Sequence, residues 1–190
     1  INIYGGEERL WFGPEGGQYS IFFKKDAAFN LDNWFTPKLI DLEPFDLVEN
    51  TSKYAIFSKT ASLTNYADFI FNFNIERVIS VLSKDEINSV LELDVSKEIS
   101  SIGYLTKNTL KNTGDKPWRK ENGLLSIWLL GMFNHTPTTT VVIPYKSGED
   151  QELGSVVNDD YFGKVPADRL KVDENAIYFK ADGQQRGKIG

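Results

Sequence analysis

Hydrophobic and polar residues alternate along much of the chain. The clearest stretch is Phe69 to Val81, where Phe69, Phe71, Phe73, Ile75, Arg77, Ile79 and Val81 share one parity and Asn72, Asn74, Glu76 and Ser80 take the other. A period of two belongs to a half-buried strand, whereas an amphipathic helix repeats about every 3.6 residues. The stretch exceeds the usual strand length, which predicts a large antiparallel sheet. Further strands are predicted over Gln18–Phe23, Lys53–Lys59, Ile99–Leu110, Leu124–Met132, Thr138–Pro144 and Ala176–Ala181, split by Gly, Asn, Asp and Pro. One helix is predicted after Ser83, which caps it with Glu86 three residues on, and Ile87, Val90 and Leu91 form its apolar face. Asn112-Thr113-Gly114-Asp115 has the composition of a turn, and Pro166 opens a short helical turn before Asp168-Arg169-Leu170. The fold class that follows is all-β: antiparallel sheets packed face to face as a sandwich, with one short helix.

Composition narrows the functions. The 190 residues carry 21 Lys and Arg against 27 Asp and Glu, a net charge of −6, so a polyanion such as nucleic acid is a poor partner. The chain has no Cys, which excludes disulfides, thiolate metal sites and thiol nucleophiles. No apolar run approaches the ~20 residues of a membrane-spanning helix. Neither a cofactor motif nor a metal-ligand spacing is present: the glycine-rich segment lacks the GK[ST] of a phosphate-binding loop and the surrounding βαβ unit of a dinucleotide site. Asp159-Asp160 fits no calcium loop and reads as a turn in which one Asp caps a backbone amide.

Candidate chemistry concentrates in Gly5–Gly17, where five glycines and a proline accompany Glu7, Glu8, Glu15, Arg9 and Trp11. Such a backbone turns sharply and admits a ligand closely. Indole faces cover the C–H side of a sugar ring, while guanidinium and carboxylates hold its hydroxyls. The same residues also fit a glycine-rich connection whose Trp11 plugs the core. Trp34, among polar and turn residues, fits cleft lining and packing alike, Trp128 reads as core, and Trp118 follows Pro117 in a charged loop. Asp168-Arg169 suits an ion pair, Arg186 and Lys188 read as structural, and Asp182-Gly183 as a hairpin turn.

Gly5-Gly6-Glu7-Glu8-Arg9-Leu10-Trp11 followed by Gly13-Pro14-Glu15-Gly16-Gly17 resembles the "GG…W…P" segment of galactose-mutarotase-like proteins. With Ser126–Phe133, Asn158–Leu170 and Phe179–Gly190, it is similar to an uncharacterised bacterial family, common in gut Bacteroidetes and related to aldose epimerases. The resemblance implies a β-supersandwich with a carbohydrate ligand, and export to the periplasm or beyond. It also implies that residues 1–190 are one domain, incomplete at both ends, with open sheet edges left unpaired or covered by another chain. Epimerase-type catalysis needs an acid at the ring oxygen and a base at the anomeric hydroxyl. On this resemblance His135 and Glu15 are the catalytic candidates, with Glu7, Arg9, Trp11 and Trp34 as substrate-binding residues. Glu7 with Glu15 is the pair that glycoside hydrolysis would use. A lone His such as His135 on a Thr- and Pro-rich loop is more often a solvated residue. A carbohydrate-binding module without turnover, and a purely structural interaction domain, are the alternatives to an enzyme.

Overall fold

A computed structural model of the chain describes residues 6–146, 148 and 153–190. Strands hold 38% of the described residues and helices 9%, and the sheets are antiparallel, so the fold is all-β and sandwich-like. Two compact units are present, a larger one of Arg9–Leu130 and a smaller one built on Gly131–Gly190.

The larger unit centres on a four-stranded sheet of β2 (Asp46–Asn50), β3 (Tyr54–Thr64), β4 (Ile70–Leu82) and β5 (Gly103–Asn112), in the order β2-β3-β4-β5. The long alternating stretch is β4, one residue displaced from its predicted bounds. Phe71, Phe73 and Ile75 point into the core while Ile70, Asn72 and Glu76 are exposed, as the period of two requires. β3 and β4 pair without interruption from Tyr54↔Ser80 to Thr64↔Ile70. β1 (Gly6–Gly13) and β6 (Ser126–Met132) pair with each other. Leu10, Trp11 and Phe12 of β1 are all buried, and the Phe12 ring lies 5.8 Å from Phe73 of β4. β1 therefore layers on the four-stranded sheet through aromatic contact, and Phe22, Ile21 and Leu63 complete the core.

Among the described residues two short α-helices accompany the sheets, α1 (Lys38–Asp41) and α2 (Lys84–Leu91). α2 begins with the predicted capping box, the Ser83 hydroxyl accepting from the Glu86 amide while the Glu86 carboxylate accepts from the Ser83 amide at 2.7 Å. Its predicted apolar face is only partly used: Ile87 is buried, but Val90 stays 65% exposed and Leu91 is exposed as well. The approach is close because β5 opens on glycine; a Cβ at Gly103 would sit 2.6 Å from Ile87 Cγ1.

Gln18–Phe23 is not a strand. It runs through bends and a turn, with Ser20, Ile21, Phe22 and Phe23 all buried. The Ser20 hydroxyl donates to the Glu15 carbonyl (2.6 Å) and accepts from the Phe22 amide (3.0 Å), and such local bonds replace a sheet ladder.

In the smaller unit β7 (Thr140–Pro144), β8 (Leu170–Val172) and β9 (Ala176–Lys180) form a sheet in the order β7-β9-β8. Pro166 opens a turn before β8, its carbonyl accepting from Arg169 and Leu170. Arg169 does not pair with its neighbour Asp168. Its guanidinium forks onto the buried Asp182, Nη2 on Oδ1 and Nη1 on Oδ2 (3.3 Å), with Lys180 Nζ 3.3 Å from Oδ2 and the Gln184 amide 3.0 Å from Oδ1. Asp182-Gly183 is accordingly the end of an ion-paired anchor, with no strand following it. Asp159 caps the Val165 amide (3.2 Å) as expected and pairs with Lys164 at 2.7 Å.

Two consequences are measurable. Phe73→Ala, which empties a fully buried ring position shared by both layers, is expected to lower unfolding free energy by about 3–5 kcal/mol in urea denaturation. The Arg169 guanidinium, then the Gln184 amide, hold the Asp182 carboxyl well below its usual 3.8. A depressed carboxyl stabilises the fold above its ordinary pKa, and that contribution fades as pH falls through the lower folded value. Asp182→Asn should therefore lower the melting temperature at pH 7, and the gap to wild type should close as pH drops below 3.8. A gap independent of pH would show that charge at Asp182 contributes nothing.

Candidate functional site

The glycine-rich segment places its aromatic residue inward. Trp11 is only 7% exposed, stacked on Phe22 (5.6 Å, 12° between planes) and tilted against Trp128 (5.5 Å). Its Nε1 is buried and has no hydrogen-bond acceptor among the described residues. Phe22 in turn stacks on Trp34 at 4.5 Å. Arg9 lies over the Trp11 ring at 4.7 Å, with Nη2 4.0 Å from Asp41 Oδ2. The structure thus brings Arg9, Trp11 and Trp34 into one aromatic row, and that row is part of the core. Glu15 is half-buried and belongs to the larger unit. His135 is exposed on the loop between β6 and β7 in the smaller unit, against Gly183. Glu7 lies on β1, and its side chain is outside the described residues.

A concavity opens elsewhere in the larger unit, where β4 begins and the chain returns after β5. It holds about 220 Å³ and is lined by residues 68–70, 72, 112, 114–116 and 118. The volume is below the ~300–1,000 Å³ of drug-sized pockets and suits a single small ring.

Its walls are set by side-chain amides. Asn65, buried, accepts from the Phe69 amide at 2.9 Å through Oδ1 and donates through Nδ2 to the Asn122 carbonyl at 2.8 Å. This closes the turn before β4 and carries Asp68 at φ 62°, a left-handed conformation that Asp tolerates better than most residues. On the other lip, Asn112 Nδ2 donates to the Lys116 carbonyl (2.9 Å) and Oδ1 accepts from the Gly114 amide (3.0 Å). The Thr113 and Gly114 amides both donate to the Asn72 carbonyl, at 2.9 and 3.2 Å, which ties the loop to β4.

Trp118 forms the apolar wall. It meets Phe71 and Phe73 in T-shaped contacts, with centroids 5.4 and 6.1 Å apart, and its remaining surface lines the pocket with Phe69. Among the described residues no hydrogen bond engages the side chains of Asn72, Asp115, Lys116 or the Trp118 indole N–H. Asp68 is taken, since Lys25 Nζ lies 2.6 Å from its Oδ2. That hydrogen bond raises the Lys25 pKa, although a pair so exposed contributes little stability. An aromatic wall with an amide, a carboxylate, an ammonium and an indole N–H free around it offers a polyhydroxylated ring one apolar contact and both hydrogen-bond senses.

Sequence reasoning located neither Trp118 nor Asn72 as a site. The available signals were the polar parity of Asn72 and the turn composition of Asn112–Asp115. Among the described residues no group of three or more His, Cys, Asp or Glu is arranged to hold a metal ion.

Comparison with known proteins places the chain in a family: it belongs to DUF6786, a family of unknown function, which it matches along residues 1–190. No curated protein and no solved structure matches it.

Asn112 is the keystone of the pocket lip. Asn112→Ala is expected to cost about 1–3 kcal/mol in urea denaturation, because one hydrogen-bonding group is lost and its partners are left without it. Amide exchange at Gly114 should quicken more than exchange at Ile75, in the core of β4, which quickens only in proportion to the lost global stability. Unchanged exchange at Gly114 would show that the lip is held by other contacts.

Proposed function

We propose that this DUF6786 member is a carbohydrate-binding protein that holds a single sugar ring in the Trp118 pocket without turning it over. The observation that carries the reading is the pocket's composition: one tryptophan wall fixed from behind by Phe71 and Phe73, with free polar groups of both senses at its rim. Aromatic rings take the C–H face of a pyranose, and the rim groups select its hydroxyls. The likeness of the Gly5–Gly17 segment to galactose-mutarotase-like proteins supports the ligand class, while the ligand's place moves from Trp11 to Trp118.

Binding is favoured over epimerase-type turnover by the inventory of proton-transfer groups. Turnover needs an acid and a base converging on one ring. Of the two carboxylates lining this pocket, Asp68 is engaged by Lys25, which leaves Asp115. Glu15 and His135, the pair suggested by the epimerase likeness, are not among the residues that line this pocket.

Calorimetric titration with a panel of simple aldoses tests the reading. Binding of at least one aldose is expected, weakened about tenfold or more by Trp118→Ala, the loss of an aromatic contact together with its buried area. Asn72→Ala, an exposed position, gives a second variant whose folding is not in question, and it should weaken binding as well. Binding unaffected by both substitutions sinks the site. Acceleration of anomerisation above the buffer rate, followed by NMR, sinks the claim that no turnover occurs.

A further inference from the structure

The smaller unit presents two exposed aromatic rings, each carrying a cation. Tyr161 and Phe162 meet edge to face with centroids 4.7 Å apart, yet remain 58% and 44% exposed. The Arg186 guanidinium carbon lies 3.9 Å from the Phe162 centroid, and Lys188 Nζ lies 3.6 Å from that of Tyr161. Asn158 and Gly190 hold the flanking segments together, exchanging backbone hydrogen bonds of 2.6 and 2.9 Å. This backbone pairing holds the segment that carries the rings beside the segment that carries the cations.

A guanidinium over a ring face satisfies its charge but not its donors, because the face accepts no conventional hydrogen bond while five N–H groups remain. Among the described residues no hydrogen bond or ion pair engages Arg186 beyond this ring contact. Asp159, the neighbouring buried carboxylate, is already neutralised by Lys164 at 2.7 Å. The arrangement is a pre-positioned fork of donors with a second positive charge, Lys188, on the adjoining ring. Its geometric complement is an oxyanion that presents two oxygens on one edge.

We infer that Arg186, supported by Phe162 and Lys188, is a recognition site for the carboxylate of an acidic sugar such as a uronic acid. A net charge of −6 repels densely charged polymers, which favours a ligand with one isolated negative charge over nucleic acid or a polysulfate. Recognition here is of charge, whereas the Trp118 pocket addresses uncharged ring surface. The site stands on different residues from the Trp118 pocket, and that the carboxylate is a sugar's rests on the carbohydrate reading above.

The test is an NMR titration of the full chain, reading the arginine Nε–H resonance of Arg186, identified by its disappearance in Arg186→Lys. D-galacturonate is expected to shift that resonance saturably, and the shift should weaken at higher salt. D-galactose, the uncharged analogue, should leave it in place. Read on the backbone amides of Phe162 and Gly187, Arg186→Lys should weaken galacturonate binding about fivefold or more, because an ammonium keeps the charge but loses the fork. Its melting temperature should stay that of wild type. Trp118→Ala should leave the galacturonate response intact, which separates this site from the pocket. An equal shift with D-galactose, an unchanged affinity in Arg186→Lys, or tighter binding of inorganic phosphate than of galacturonate would each overturn the assignment.

Discussion

The larger unit turns on the ring of Phe73. It is fully buried, it touches Phe12 of β1 at 5.8 Å, and it meets Trp118 at 6.1 Å. One side chain on β4 therefore joins the layer above the sheet to the wall of the pocket. Remove it and both the sandwich contact and the seating of Trp118 lose their support. This has a functional consequence, because a wall held by core packing is ordered before any ligand arrives. Ordering an aromatic side chain at the moment of binding would subtract from affinity, and here that ordering is complete in the folded state.

What could be read from the sequence were the local features. The parity of Phe71, Phe73 and Ile75 follows from strand geometry alone, and the Ser83–Glu86 capping box needs only three residues of chain. What could not be read depends on burial or on distant partners. Ser20-Ile21-Phe22-Phe23 is apolar enough for a strand, yet it is buried on every side and bonded to its own loop, and a continuous apolar run has no period to distinguish the two. Adjacent Asp168 and Arg169 invite pairing on paper, but the guanidinium reaches Asp182, thirteen residues on, because Lys180 and Arg169 are joined through the backbone where β9 ends.

The candidate site failed to be legible for a related reason. A tryptophan beside an arginine and carboxylates is the composition of a sugar cleft and equally of an aromatic core with its edge capped by an ion pair. Only the partners decide. Trp11 found Phe22 and Trp128 on its faces and Arg9 above it, so its ring is spent on packing. Trp118, in a loop that composition marked as merely charged, found Phe71 and Phe73 and kept surface in the pocket.

The two proposed ligand surfaces differ by how their aromatic residues are supported, and that difference carries a physical argument about selectivity. Trp118 is held by other aromatic rings, which add no charge, so what it offers a ligand is polarizable apolar area ringed by neutral and mixed-sign groups. Phe162 and Tyr161 each carry a cation, Arg186 and Lys188, over one face, and what they offer is orientation of those cations. A ring used as a contact surface discriminates by shape and hydroxyl pattern. A ring used as a pedestal discriminates by charge and by the bidentate geometry of the fork it holds. An uncharged sugar gains little from the second arrangement, and at the first a carboxylate meets Asp115 as well as Lys116, so charge selects weakly there.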